Sequence, residues 1–292
     1  MATLYDQINS NNRKAFFLIF FFLIFVIFIG WIFSYVFNET FVLYFAVGFS
    51  ILMSFTSYYN SDKVILTMSQ AHEIQKNSNP ELYRIVENLA ITAGMPIPKI
   101  YIIDEWQPNA FATGRDEKHA VVAVTRGLLE KLDKRELEAV LAHEIAHIKS
   151  KDILVGSTIV VLVGIVALLS DIFMRSLYLS NSNSDNKNPL FLILAIISMI
   201  LAPLVATIIK LAISRKQEFR ADAAGSLLTR DPEALASALI KISTDKTPLS
   251  KINSATSHLY ISSPSKKKVS FYDKLFMTHP PVEERVNALR QI

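Results

Sequence analysis

Lys134-Arg-Glu-Leu-Glu-Ala-Val-Leu-Ala-His-Glu-Ile-Ala-His-Ile148 reads as one helix, since it is made of good helix formers and contains neither Gly nor Pro. Within it His143 and His147 stand four residues apart, one turn along the same face. Their imidazoles can therefore converge on one metal ion, and zinc is the usual occupant of such a pair. Glu144 points about 100° away around the helix, beside the ion rather than onto it. From there it can act as a base toward metal-activated water. With only 6 His in 292 residues, chance rarely sets two of them at this spacing around a glutamate.

The rest of the chain places that helix at a membrane. Hydrophobic residues make up 51% of the sequence, and the mean hydropathy of +0.32 is high for a soluble protein. The excess is concentrated in blocks. Ala15 to Phe37 carries no charge and as a helix spans about 34 Å, enough for a bilayer core. It is too long for the apolar core of a signal peptide, and no small-residue cleavage site follows it. A second uncharged block, Phe41 to Tyr59, follows after Asn38-Glu39-Thr40, which predicts a tight helical hairpin. Ile153 to Ser170 and Pro189 to Ile209 form a less oily second pair, separated by a polar stretch from Ser180 to Asn188. A buried helical pair within a soluble domain is the alternative for these two.

If all four segments cross, every one of the 30 Lys and Arg except Arg175 and Lys187 lies on one side. The flanks of the spans agree, so the soluble parts are expected to face the cytoplasm. The absence of cysteine excludes a disulfide framework and any thiolate ligand or nucleophile. The pI near 9.1 fits lysines beside anionic headgroups better than nucleic acid, because no aromatic-basic binding motif occurs. The expected divisions are residues 1–59, an N-terminal transmembrane hairpin; 60–152, a catalytic part with the metal helix; 153–212, a second hairpin; and 213–292, a second catalytic part.

Residues 60–97 read as helical, with one segment opening at Asn79-Pro80-Glu81 and ending at Gly94. Lys99–Ile103 and Ala120–Thr125 are β-branched runs expected as strands. Pro108–Gly114 reads as the middle strand of a small meander. A short helix over Arg126 to Leu132 precedes the metal helix. Residues 246–268, rich in Ser, Lys, Pro and Asn, read as a loop, and His279-Pro-Pro leads into a short terminal helix.

Two histidines do not hold a catalytic metal, which needs a third protein ligand and an open position. Ser150 and Ile153 rule out a third histidine supplied by the same helix end. The candidates are His258, His279 and the acidic residues after Lys210. Two antiparallel helices joined by a short outer loop would bring the flank after His147 beside Glu218, which the geometry favours. Asp222, one turn later, can accept the distal N–H of a ligating histidine and fix its tautomer. His279 either donates to a developing oxyanion or caps the last helix. Arg285 is expected to pair with an acidic neighbour, and His72, His119 and His258 to lie at the surface. Asn109 to Thr113 has turn residues at both ends and few bulky groups. It is expected to form the sheet edge that binds an extended peptide, through Asn109 and the backbone groups of Ala110 and Ala112.

His143–His147, Ser214-Arg-Lys-Gln-Glu-Phe-Arg-Ala-Asp222 and His279-Pro-Pro-Val-Glu-Glu-Arg285 resemble the motifs of the HtpX family of membrane-bound zinc metalloproteases, relatives of the CaaX-processing proteases. Pro108–Gly114 is similar to that family's substrate-side segment, and the two-plus-two pattern of spans matches. The resemblance covers nearly the whole chain; residues 246–268 have no place on the pattern. It implies an α+β membrane protein: a mainly helical, zincin-type (gluzincin-like) catalytic domain with a small β-sheet, and four transmembrane helices. It further implies one zinc ion per subunit with Glu218 as third ligand, and endopeptidase activity facing the cytoplasm of a cell inner or plasma membrane. Misfolded or unassembled membrane proteins would be the substrates, with other membrane quality-control proteases as partners. Competing readings are a CaaX-type processing protease, intramembrane proteolysis, and a non-catalytic scaffold or transporter with an incidental metal site. The charges flanking the metal helix argue against a site within the hydrocarbon, and an intact Glu144 argues against a merely structural site.

Overall fold

The computed structural model describes residues 4–180, 215–245, 247 and 280–292. The chain opens with α1 (Leu4–Phe37) and α2 (Thr40–Tyr59), which pair as a hairpin. Gly30 makes their close approach feasible, since a Cβ there would meet the Ala46 Cβ at 2.2 Å. Both helices are long and apolar enough to cross a membrane. Their outer faces show Phe17, Phe21, Phe28, Trp31, Phe45 and Phe55 to the surroundings, as lipid contact requires.

Next come α3 (Ser61–Met68), β1 (Ala71–Glu73) and α4 (Pro80–Ala93). In α4 the Asn79 side chain accepts from Leu82 N, Pro80 opens the first turn, and Gly94 closes the helix at φ 63 in the left-handed region. Then follow β2 (Lys99–Ile103), β3 (Ala110–Thr113), β4 (Val121–Thr125), α5 (Arg126–Lys131) and α6 (Lys134–Lys149). A reciprocal cap starts α6, with Asp133 accepting from Glu136 N and Glu136 accepting from Asp133 N. After α6, α7 runs Asp152–Ser180; α8 (Arg215–Thr229), α9 (Pro232–Thr244) and α10 (Val282–Leu289) are the remaining described α-helices.

The sheet order is β1-β2-β4-β3. β2 and β4 run parallel, while β1 and β3 are antiparallel outer strands. The order corrects the expected meander, because β4 inserts between β2 and β3 and leaves β3 at the edge. β1 also falls in a region read as helical; three residues are too few to show a period of two.

The sheet separates two cores. Ala110, Ala112, Val122 and Val124 face α4, α6 and α9. Phe111 and Ala123 face Ala15 of α1, Ile65 of α3, and Leu154 and Ile159 of α7. β4 is buried along its whole length, which is why it reads as an unbroken apolar run rather than an alternating one. Of the four expected spans, the third lies in α7, whose first half is packed against α1, α2 and α3. The fourth, Pro189 to Ile209, lies outside the described residues, as does the 248–268 part of the polar segment.

Candidate metal centre

α6 is buried on most sides, between α4, α8, α9 and β3. It carries His143, Glu144 and His147 against the first turns of α8, where Glu218, Asp222 and Gly225 share one face at i, i+4 and i+7. Gly225 sets the distance between the helices: a Cβ there would sit 2.8 Å from His143 N and 3.0 Å from His143 Cα. The close crossing brings three ligand atoms together. His143 Nε2 and His147 Nε2 are 3.1 Å apart, and the Glu218 carboxylate lies 3.9 Å from the first and 3.5 Å from the second.

The outer ring nitrogens are engaged elsewhere. His147 Nδ1 is 3.1 Å from Asp152 Oδ2. His143 Nδ1 lies 2.9 Å from Asp222 Oδ1, off the line of a straight hydrogen bond. These carboxylates hold a proton of each ring at Nδ1, so both Nε2 atoms point at one place, where a metal ion would displace any second proton. Burial opposes charge on His147, yet the Asp152 hydrogen bond and the Glu218 carboxylate outweigh it and raise the imidazole to about 9. Such a pocket calls for a cation. A tetrahedral divalent ion of zinc's size, with ligands at ~2.0–2.1 Å, sets its donor atoms about 3.3 Å apart. The His143–His147–Glu218 set, the group of this kind found among the described residues, fits that requirement.

Arg285 from α10 closes the site from behind. Its guanidinium is fully buried and grips Asp222 with two bonds, Nε to Oδ2 at 2.8 Å and Nη2 to Oδ1 at 2.6 Å. Its Nη1 is 3.4 Å from Glu218 Oε2. Burial would raise the Asp222 carboxyl, but Arg285 and His143 hold it at about 2.

On the side facing the sheet, Glu144 Oε2 accepts a 2.8 Å hydrogen bond from Ala112 N of the edge strand. The ladder explains this. Asn109 O accepts from Thr125 N, so the odd-numbered residues of β3 turn toward β4 and Ala110 and Ala112 turn away. The Ala112 N–H, expected to face a peptide, is thus given to Glu144. Ala110 N is taken by the Asn109 side chain, and Asn109 is itself buried and fixed by Thr125. His279, expected as an auxiliary donor, and His258 lie outside the described residues.

Sequence reasoning missed Asp152, treated only as a flanking charge. Its position depends on Lys151, which adopts φ 57 and turns the chain back so that a residue five beyond His147 reaches the ring. An acid just past a helix break after the second histidine was the available signal.

A buried helix crossing that gathers two imidazoles and a carboxylate, with a buried glutamate between them and a sheet edge, has the layout of a metallopeptidase. Residues 76–292 match the family described as peptidase family M48, and the chain belongs to that family. It is 43% identical to "Protease HtpX homolog" of Dictyoglomus thermophilum, covering 99% of this chain and 95% of that one. The corresponding figures for a protein of the same name from Tropheryma whipplei are 44%, 86% and 84%. Among solved structures, S. mikatae Ste24p has a similar fold, with a TM-score of 0.52 and 21% identity. That match covers 89% of this chain and 61% of that one, and at this identity the likeness is one of fold alone. The protein is a membrane-bound metalloprotease.

Proposed function

We propose that the chain is a zinc endopeptidase, multi-pass in the cell membrane with its catalytic part toward the cytoplasm, that cleaves misfolded or unassembled membrane proteins in quality control. The observation that carries this reading is Glu144, buried between the His143–His147–Glu218 set and the edge strand β3. His143, His147 and Glu218 would hold the ion, and Asp222 and Asp152 would fix the two rings. The ion supplies Lewis acidity, polarising a carbonyl and making a nearby water acidic. Glu144 takes a proton from that water on its carboxylate and returns it to the leaving amine nitrogen. Its bond from Ala112 N aims the carboxylate before substrate arrives. An extended peptide lying along β3 would be held through the outward carbonyls of Ala110 and Ala112, whose N–H groups are already engaged, which suits substrates of varied sequence. His279 would donate to the developing oxyanion. Placement in the membrane is supported by the two apolar helices, and the cytoplasmic orientation by the one-sided distribution of Lys and Arg.

The test uses full-length protein in detergent, assayed for zinc content and casein cleavage with and without chelator. One zinc per chain, chelator-sensitive cleavage, and loss of cleavage with retained zinc in Glu144→Gln are expected. Cleavage by Glu144→Gln at the parent's rate would overturn the mechanism.

A further inference from the structure

The N-terminal membrane helix reaches the metal centre through one side chain. Asn11, in the first turns of α1, is buried to 2% exposure although its neighbours Asn12 and Arg13 are exposed. Its Nδ2 donates to Ser150 O at 2.9 Å and to Asp152 Oδ1 at 2.7 Å, and its Oδ1 accepts from Gln217 Nε2 at 3.0 Å. These contacts tie together the end of α6, the start of α7 and the first turn of α8. His147 lies three residues before Ser150, and Glu218 directly follows Gln217.

Asp152 shows what the arrangement does. Its Oδ1 accepts from Asn11 Nδ2 and from Gln217 Nε2 at 2.6 Å, while its Oδ2 accepts from Ser150 Oγ at 2.7 Å and meets His147 Nδ1 at 3.1 Å. Two amides clamp one oxygen, so the other is aimed at the imidazole and cannot rotate away. Both amides are neutral and leave the full carboxylate charge to act on the ring. A charged residue at position 11 would either cancel that charge or repel it.

We propose that Asn11 is a positioning residue of the metal centre: through Asp152 and Gln217 it sets the His147 ring and the Glu218-bearing turn relative to each other. α1 is then a structural part of the peptidase site as well as an anchor. The inference rests on the metal-site reading above.

The experiment measures zinc dissociation constants by chelator competition, and the visible d–d spectrum of the cobalt(II) form, for the full-length parent, Asn11→Ala, Asn11→Asp and Asn12→Ala. Asn11→Ser, which keeps one donor, serves if the first two do not accumulate. The Asn11 variants are expected to bind zinc about tenfold or more weakly, with a shifted cobalt spectrum, and Asn12→Ala is expected to match the parent. A lowered melting temperature with an unchanged zinc constant and cobalt spectrum would overturn the proposal and leave Asn11 as packing only. A parent that binds neither metal would overturn the metal-site reading itself.

Discussion

A buried guanidinium is stable only while its carboxylate is present, and the reverse holds for Asp222. Arg285→Met removes both bonds to Asp222 and leaves a buried charge uncompensated, a loss of about 3–5 kcal/mol. Because Asp222 also steadies His143, zinc affinity is expected to fall by about 10–100-fold. Thermal melts and chelator competition measure the two effects separately, and unchanged zinc affinity would mean that Asp222 holds His143 without help. At this scale the sequence was most legible where chemistry and spacing coincide. His143 and His147 advertise themselves by falling one turn apart, and Glu218 and Asp222 by repeating that interval on a helix expected alongside. Asp152 and Asn11 carried no such sign, since each reaches its place through a chain reversal or a contact between distant segments.

The helix crossing and the strand edge are the elements that shape the site. Gly225→Ala adds a methyl group against the backbone of His143 and Ala142, where no flexible side chain can yield. α8 must move outward, at a cost of about 1–3 kcal/mol, and Glu218 moves with it. Weaker zinc binding and a lower melting point are expected; an unchanged zinc constant would show that the crossing tolerates the shift. On the strand, Ala112→Pro removes the N–H given to Glu144 without breaking the ladder to β4, because that group points away from it. Lost turnover with full zinc content is expected, and the fall should appear in kcat as well as KM because the base loses its aim. A variant that cleaves unfolded protein as fast as the parent would remove the base-aiming role of Ala112 N. Strand existence was readable from β-branched runs. Strand order was not, because the parallel pairing of β2 with β4 is imposed by helices packed on both faces of the sheet and leaves no local mark.

At the scale of the whole molecule, hydropathy marked α1 and α2 as the two helices long and apolar enough to cross a membrane, because their apolar stretches run for about twenty residues without a charge. α7 was harder to assign because its first half is buried by protein, and composition alone does not separate a protein-facing helix from a lipid-facing one. Reporters fused after residues 120 and 292 are expected to read cytoplasm, and one at Asn183 the outside. A cytoplasmic signal at Asn183 would remove the second hairpin from the membrane. The sheet, with its two cores, has a further consequence. Phe111 and Ala123 rest in one core while their neighbours Ala112 and Val122 rest in the other, so among the described residues the two cores share one sheet and no seam separates them. Full-length protein in mild detergent is therefore expected to unfold in a single calorimetric transition. A fragment beginning after Tyr59 would lose Ala15 and the rest of α1 from one of those cores. It should aggregate rather than persist as a soluble protease, and harsher detergents should inactivate the enzyme by stripping the same contacts.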